Sequence, residues 1–136
     1  MASTLNPYIN FVDNAREALE FYRGVLGGEL RLSTFGEFPG STPDTDAEKI
    51  MHGQLTTQAG FTLMAADTPA GMEHRGNCGF SVSLSGDDET ELRGYWDGLS
   101  EGAQVILPLE KQMWGDTFGM LVDRFGIGWM VDIAAG

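Results

Sequence analysis

The chain of 136 residues, with 42% hydrophobic residues and a net charge of −12, is long enough for a buried core and too acidic to bind nucleic acid. Its eight Lys and Arg residues are scattered, which argues against an anionic membrane as a partner, and no apolar stretch approaches the roughly 20 residues of a membrane helix. The single cysteine, Cys78, excludes an internal disulfide, and residues 1–7 lack the basic flank and apolar run of a secretory signal. We therefore predict a cytoplasmic protein without nucleic-acid or membrane partners.

The first half of the chain reads as a strand, a helix and three further strands. Residues 5–12 have the alternation of a strand, and Asn14 with Glu17 has the spacing of a capping box before an apolar helical stripe that Gly27 ends. Further strands are predicted at residues 29–35, 49–57 and 61–66. Residues 36–46 are rich in Gly, Pro, Ser and Asp and are predicted to form a loop.

The same pattern restarts after a second predicted loop at residues 67–77. A strand around Val82 is followed by Asp87 and Asp88, which suit a helix N-terminus, and Gly102 follows the helix. Residues 105–107 are a predicted strand, and residues 114–133 are a predicted hairpin with its turn at residues 123–126.

Five apolar pairs repeat at a constant spacing of 73 residues. They are Ile9 and Val82, Phe11 and Leu84, Leu19 and Leu92, Tyr22 and Tyr95, and Leu26 and Leu99. A constant offset across a strand and a helix indicates a duplicated unit. We predict an α+β fold of two tandem βαβββ modules, about 1–70 and 71–136, in a single domain 1–136. They would form a curved sheet with both helices on its convex face and a concave inner face.

Motifs along nearly the whole chain carry a family resemblance. They are PYINFVDNAREALEFYRGVLGGEL at residues 7–30, FGEFPG at 35–40, IMHGQL at 50–55, LMAAD at 63–67 and WGDTFGMLVDRFGIGWMVDI at 114–133. In this order they resemble the PhnB-like branch of the vicinal oxygen chelate superfamily, which includes glyoxalase I, extradiol dioxygenases and the bleomycin-resistance proteins. The resemblance implies the glyoxalase/bleomycin resistance fold and homodimers.

The resemblance also implies where a metal would bind. Metal-using relatives hold a divalent ion with His, Glu or Gln side chains from the first and last strand of each module. The matching positions here fall near Asn6, Leu63, Gly79 and Met130. Leucine and glycine offer no donor, and a methionine thioether is too soft for a hard cation. We therefore predict no metal and no cofactor.

Seven side chains are the predicted ligand-binding set of the concave face: Tyr8, His52, Gln54, Leu63, Trp114, Met130 and Asp132. His52 shares a strand face with Gln54, so it could contact a ligand or act as a base, although a structural histidine bonded to a neighbouring strand is the simpler interpretation. Asp132 could pair with a cationic ligand or simply face solvent, and Trp114 could be a cavity wall, a core residue or a dimer contact. The other histidine, His74, is predicted to be solvated.

These residues predict a small-molecule binding protein of unknown ligand, with a cationic or aromatic molecule as the class that an acidic pocket suits. The alternative is an enzyme of the same superfamily, a lyase, isomerase or dioxygenase, that uses noncanonical residues such as His52. A third alternative is a dimeric partner of another protein. A methyltransferase is not supported, because no glycine-rich nucleotide loop precedes a ribose-binding acid. No catalytic residue is assigned.

Overall fold

The computed structural model describes residues 3–37, 47–69, 72–74 and 76–135. The chain divides into two compact units, residues 1–76 and 77–136, close to the predicted module boundary. Most of the predicted loop at residues 36–46 lies outside the described residues, as does part of the predicted loop at 67–77. Neither helix in the described part of the chain has the length and apolar character needed to cross a membrane.

In its described residues, each unit contains one strand, one helix and three further strands, as the 73-residue repeat predicts. The first unit contains β1 Tyr8–Phe11, α1 Ala15–Leu26, β2 Glu29–Thr34, a 3₁₀ turn Phe35–Glu37, β3 Ile50–Thr56 and β4 Thr62–Asp67. The second contains β5 Val82–Gly86, α2 Glu89–Leu99, β6 Gln104–Lys111, β7 Thr117–Val122 and β8 Gly128–Ile133. The α+β class and the duplicated βαβββ order are therefore confirmed.

The two units have the same sheet topology. The first sheet has the order β1-β4-β3-β2 and the second the order β5-β8-β7-β6. In each sheet the unit's first strand is parallel to its last, and the remaining pairs are antiparallel. The register pairs Tyr8 with Met64 in the first sheet and Ser83 with Met130 in the second. This register decides which side chains of neighbouring strands share a face.

Helix α1 packs on one face of the first sheet because its apolar stripe is continuous. Ala15, Ala18, Leu19 and Tyr22 are fully buried, and the helix contacts β2, β3 and β4. Close approach is possible at Gly53 on β3, where a Cβ atom would collide with the Leu19 side chain. Helix α2 packs in the same way on β5 and β8 of the second sheet.

The predicted capping box at the start of α1 is wrong. Asn14 occupies the N-cap position but its side chain makes no capping hydrogen bond. The Ala15 N–H instead donates to Oδ1 of Asp67 at 2.9 Å, and the Ile50 N–H donates to Oδ2 of the same carboxylate at 2.8 Å. Asp67 is buried, so this one side chain satisfies backbone donors of α1 and β3 from the end of β4.

In the second unit, a buried carboxylate organises the β7–β8 hairpin. Asp123 starts the turn, as predicted, and Gly126 adopts a positive φ of 85° within it. Asp123 Oδ1 also accepts the N–H groups of Phe125 and Ile127, and Oδ2 accepts the indole N–H of Trp129 at 2.8 Å. These bonds satisfy the polar edge of a fully buried tryptophan, which confirms that Trp129 is a core residue.

Candidate functional site

The face of the first sheet opposite α1 is polar, and we call it the helix-free face of the first sheet. Its register places Arg31 beside Gln54, Gln54 beside Met64, and Met64 beside Tyr8. The helix-free face comprises Tyr8, Asn10, Glu29, Arg31, Ser33, His52, Gln54, Thr56 and Met64. It contrasts with the other face, where the apolar side chains of these strands are buried against α1.

Tyr8 and His52 interact across the central strand β4 of this face. The phenol oxygen of Tyr8 lies 3.3 Å from Nδ1 of His52, and the two ring centroids are 5.7 Å apart. Partial burial raises the pKa of the Tyr8 phenol above its usual value of 10.0, so the phenol keeps its proton at neutral pH. The phenol can then donate to Nδ1 of a neutral imidazole, which places the imidazole proton on Nε2. The predicted residues Tyr8 and His52 are therefore brought together.

A β-bulge in strand β3 lies between His52 and Ile50. Ser33 pairs with His52, but the next residue of β2, Thr34, pairs with Ile50. One extra residue, Met51, therefore lies in β3, and it turns Ile50 into the core, where it is 1% exposed. Strict alternation along β3 would place Ile50 on the face of His52 and Gln54, and the bulge prevents this.

A cavity of about 470 Å³ opens on the helix-free face of the first sheet. It is lined by Glu29, Arg31, Ser33, His52, Gln54 and Thr56. The Gln54 amide nitrogen donates to Oγ1 of Thr56 at 3.3 Å. Two of the predicted ligand-binding residues, His52 and Gln54, therefore line one cavity, and the Tyr8 phenol contacts it through His52.

Leu63 does not belong to this face, and its predicted placement is wrong. It pairs with Leu55 on β4 and β3, and it is only 4% exposed. The neighbouring residue, Met64, occupies the helix-free face because side chains alternate along a strand. The alignment to the family positions was therefore displaced by one residue on β4.

On β8, Met130 and Asp132 both lie on the face of the second sheet opposite α2, as predicted. Trp129, Val131 and Ile133 alternate with them and are buried. The register places Met130 beside Met120 and Ser83, and Asp132 beside Phe118 and Ser85. The two predicted ligand-binding residues of β8 thus share a face within the second unit.

Asp132 lies close to a second carboxyl group, that of Asp116. Its Oδ1 atom is buried and accepts no hydrogen bond from the described residues, while Asp116 Oδ1 accepts the Ala135 N–H at 3.0 Å. Desolvation raises the pKa of Asp132 above its usual value, and a hydrogen bond with Asp116 and repulsion from it raise the pKa further. A shared proton between the two carboxyl groups would satisfy the buried oxygen, because two ionised carboxylates cannot bond to each other.

Trp114 is at the surface, in the turn before β7. Its side chain is 60% exposed, and its ring packs edge-on against Phe118, with centroids 6.0 Å apart. A core role is therefore wrong for Trp114. Since Phe118 lies beside Asp132 in the register, the exposed indole belongs to the same end of the second sheet as the carboxyl pair.

His74 is more ordered than predicted. The ring is half-buried, its Nε2 lies 2.7 Å from the Asn10 carbonyl oxygen, and its Nδ1 accepts the Gly76 N–H at 3.3 Å. A neutral imidazole with its proton on Nε2 makes both bonds. His74 therefore holds its segment against β1, and the prediction that it is solvated is wrong.

The family profile of the Glyoxalase/Bleomycin resistance protein/Dioxygenase superfamily matches residues 4–131. The chain belongs to this superfamily. Among solved structures it is similar to protein PA1353 from Pseudomonas aeruginosa, at 38% identity and a TM-score of 0.87, with 97% of this chain and 98% of that chain covered. The resemblance to this superfamily, stated from the motifs, is therefore confirmed.

The chain is also similar to two further proteins. Protein YjdN from Escherichia coli strain K12 is 27% identical over 95% of this chain and 94% of its own length. The structure described as a putative 3-demethylubiquinone-9 3-methyltransferase, PhnB protein, from Bacillus cereus has a TM-score of 0.75 at 18% identity, covering 97% and 100% of the two chains. The similarity to the Bacillus cereus protein, at this low identity, shows a shared fold only.

The side chains of this member do not fit the metal site that the superfamily resemblance implies. Leu63 is in the core, and the residues that β4 and β8 present on their helix-free faces, Met64 and Met130, carry thioethers. Thioethers are soft donors that suit copper(I), whereas an ion that chelates two substrate oxygens needs imidazole or carboxylate ligands. Among the described residues, no three His, Cys, Asp or Glu side chains lie close enough to hold a metal ion.

The sequence interpretation missed the contribution of β2 to the cavity. Glu29, Arg31 and Ser33 alternate with Leu30 and Leu32, which is a clear strand pattern with one polar face. That alternation, set beside the polar face of β3, was the signal that could have identified them. Asp67, Asp116 and Asp123 carried no comparable signal, because their roles depend on residues distant in sequence.

Proposed function

We propose that this protein binds a small organic molecule on the helix-free face of its first sheet, through its own side chains and without a chelated metal. The observation that carries the proposal is the cavity of about 470 Å³, which is lined by side chains able to donate and accept hydrogen bonds. Ligand sites combine a concave surface with a few convergent polar groups, and this cavity has both.

Two features of the cavity support binding of a defined molecule. The Tyr8–His52 hydrogen bond fixes the imidazole orientation, so a ligand would meet a positioned Nε2–H group. The side chains of Ser33, Gln54 and Thr56 offer further donors and acceptors on the same face. The resemblance to the bleomycin-resistance proteins makes a binding role reasonable for this fold.

A cationic or aromatic ligand, as the acidic composition predicts, would find suitable groups in the second unit. Asp132 and Asp116 supply carboxyl groups, and Trp114 supplies an exposed aromatic face. Met130, also predicted to contact a ligand, lies on the same face as Asp132. Ligand contact by these second-unit residues stays a separate prediction of the acidic composition and is distinct from the site on the first sheet.

The test is native mass spectrometry of protein purified without a chelator, combined with elemental analysis. We expect a small organic molecule to co-purify with the wild-type chain and to be lost in a Ser33→Ala/Gln54→Ala double variant, while divalent metal stays far below one equivalent. The exposed helix variant Glu20→Gln is the matched control. A stoichiometric divalent ion that disappears in His52→Ala would contradict the proposal.

A second candidate function is metal-free proton transfer with His52 as the base. The observation that favours it is the Tyr8–His52 pair. In a catalytic triad a third residue bonds to the base and fixes its orientation, and the Tyr8 phenol would do the same for the His52 imidazole. The base would act in the other tautomer of the imidazole, in which Nδ1–H donates to the Tyr8 phenol oxygen and Nε2 is free to accept a proton from a carbon acid.

This second candidate is tested by hydrogen–deuterium exchange at the methyl group of pyruvate in heavy water, followed by proton NMR. Catalysed exchange that disappears in His52→Gln and falls in Tyr8→Phe would support it. His74→Gln is the matched control, because the chain has two histidines and His74 lies outside the cavity lining. Equal exchange in wild type and His52→Gln would reject catalysis by His52.

We also propose that the protein is a homodimer, as the family resemblance implies. The edge strand β6 carries Val105 and Ile106, which are among the exposed large hydrophobic residues, and an apolar edge suits pairing with a second chain. Analytical ultracentrifugation tests this point. We expect a dimer at micromolar concentration, and a monomer throughout the concentration range would contradict it.

A further inference from the structure

One permanent positive charge lies in the cavity of the first sheet. Of the six described residues that line the cavity, Arg31 is the only Lys or Arg. Its position on β2 places it beside Gln54 of β3, and Ser33 follows on the same face. The chain has a net charge of −12, so the positive charge of this guanidinium is opposite in sign to the charge of the protein as a whole.

Arg31 has no ion-pair or hydrogen-bond partner among the described residues. This differs from Arg93 in α2, which pairs with Glu89 at 2.8 Å. Glu29 lies two residues before Arg31 on the same strand face, but it pairs in register with Thr56 at the far end of the cavity and makes no ion pair with Arg31. The guanidinium therefore keeps its planar set of five N–H donors for another group.

The groups near Arg31 extend this donor-rich region in one direction. Ser33 has a hydroxyl group, and His52, its register partner, has an Nε2–H when Tyr8 donates to Nδ1. The cavity is thus divided between a donor-rich end at Arg31, Ser33 and His52 and a carboxylate end at Glu29. An oxyanion at the first end would receive charge-assisted and neutral hydrogen bonds together.

We propose that the cavity takes a small organic acid whose carboxylate or phosphoryl oxyanion binds Arg31, with Ser33 and His52 as additional donors. This inference rests on the proposed function, because it names the ligand class of the same cavity. The planar guanidinium fork matches either oxyanion in a two-point contact. The net charge of −12 repels anions from the protein as a whole, so an anion that binds here must be held by these local contacts.

The experiment is an NMR titration of ¹⁵N-labelled protein with two matched pairs of probes at constant ionic strength. The first pair is benzoate and benzamide, which share size and shape but differ in charge. The second pair is phenyl phosphate and phenol, which tests the phosphoryl group. We expect benzoate or phenyl phosphate to shift the Arg31 Nε–H resonance and the backbone amides of β2 and β3, at affinities at least about tenfold above their neutral partners.

Variants of Arg31 separate charge from shape. Arg31→Gln should reduce the affinity for the anionic probes at least about tenfold, and Arg31→Lys should restore part of it, because a lysine keeps the charge but lacks the two-point fork. Arg16→Gln, an exposed arginine of α1, is the matched control and should leave affinity unchanged. The exposed position of Arg31 means that both Arg31 variants should keep the amide spectrum of the folded protein.

Three outcomes would overturn the oxyanion proposal. Equal affinity for benzoate and benzamide at the same amides would show that the cavity binds molecules without using the charge, which leaves the proposed function intact. Unchanged anion affinity in Arg31→Gln would move the anion contact elsewhere. No shift on β2 or β3 with any of the four probes would reject an oxyanion site, and the co-purification experiment would then decide the proposed function separately.

Discussion

Carboxylates occur in two different physical situations in this protein. Asp67 and Asp123 are buried and accept hydrogen bonds from backbone or indole N–H groups, so their charge is stabilised where it lies. Asp132 has a buried oxygen without a donor and faces a second carboxyl group, so its charge is disfavoured. The same residue type therefore stabilises the fold in two places and costs stability in a third.

Replacing Asp132 by asparagine should stabilise the protein at neutral pH. The folded-state pKa is raised above the usual 3.8, so the native state loses stability as pH rises through that pKa and the carboxyl ionises. The amide stays neutral and can donate to Asp116, which we expect to add about 0.5–1 kcal/mol to the free energy of unfolding at neutral pH. Urea denaturation at several pH values measures this gain, which should shrink as pH falls toward 3.8.

The control for this prediction is Asp97→Asn, at an exposed position in helix α2. It should change stability little at any pH. A destabilised Asp132→Asn variant at neutral pH, or a gain that is the same at every pH, would show that Asp132 is not strained by its neighbour.

Replacing Asp67 by asparagine should have the opposite effect. Both carboxylate oxygens accept buried backbone N–H groups, from Ala15 and Ile50, and an amide can accept only one of them while its NH₂ faces the other. We expect a loss of about 2–4 kcal/mol in the free energy of unfolding, because a charge-assisted buried bond is replaced by an unsatisfied donor. Chemical denaturation measures it, and a loss below about 0.5 kcal/mol, the range of ordinary surface changes, would contradict the clamp role.

At the scale of elements, the hydrophobic periods predicted strand and helix order well and boundaries less well. The repeat from Ile9 to Leu99 identified both helices and the strand that precedes each of them, because each of these elements buries a single apolar face. Strand β6 spans Gln104–Lys111 and is longer than the predicted 105–107. The prediction was too short because two irregularities in the pairing and Pro108 interrupt the alternation of side chains along this strand. The capping box did not form, and the first N–H group of the helix, that of Ala15, bonds to the distant Asp67 carboxylate.

The packing of α2 on the second sheet depends on Gly119 of β7. A Cβ atom there would lie 2.8 Å from Cη2 of Trp96 and 2.9 Å from Cα of Leu109, and neither a buried indole nor backbone can move cheaply. Gly119→Ala should therefore destabilise the protein by about 1–3 kcal/mol. Thermal and chemical denaturation of the variant measure the loss.

Gly94→Ala is the matched control for this glycine. Gly94 is an exposed residue inside α2, and a Cβ there meets no atom within 4 Å. Alanine favours the helix, so we expect a gain of about 0.5–1 kcal/mol. Similar effects of the two substitutions would mean that backbone propensity, rather than contact with Trp96, determines the cost at Gly119.

At the scale of the whole molecule, the motifs predicted the superfamily and the sequence periodicity predicted two repeated units. The candidate site was predicted in part. His52 and Gln54, predicted from the polar face of β3, line the cavity, and Tyr8 of β1 contacts His52 beside it. Leu63 was misplaced because a one-residue error in alignment moves a strand side chain to the opposite face. Arg31 was not predicted, because its place in the cavity depends on the pairing of β2 with β3 and not on β2 alone.

Binding on the helix-free face of the first sheet is the central claim, and one measurement tests it most directly. ¹⁵N-labelled protein is screened by NMR against a library of small organic fragments, with and without a chelator of divalent ions. We predict that the shifted resonances cluster on Arg31, Ser33, His52 and Gln54 and are unchanged by the chelator. Shifts that cluster elsewhere, or that require a divalent ion, would contradict the account.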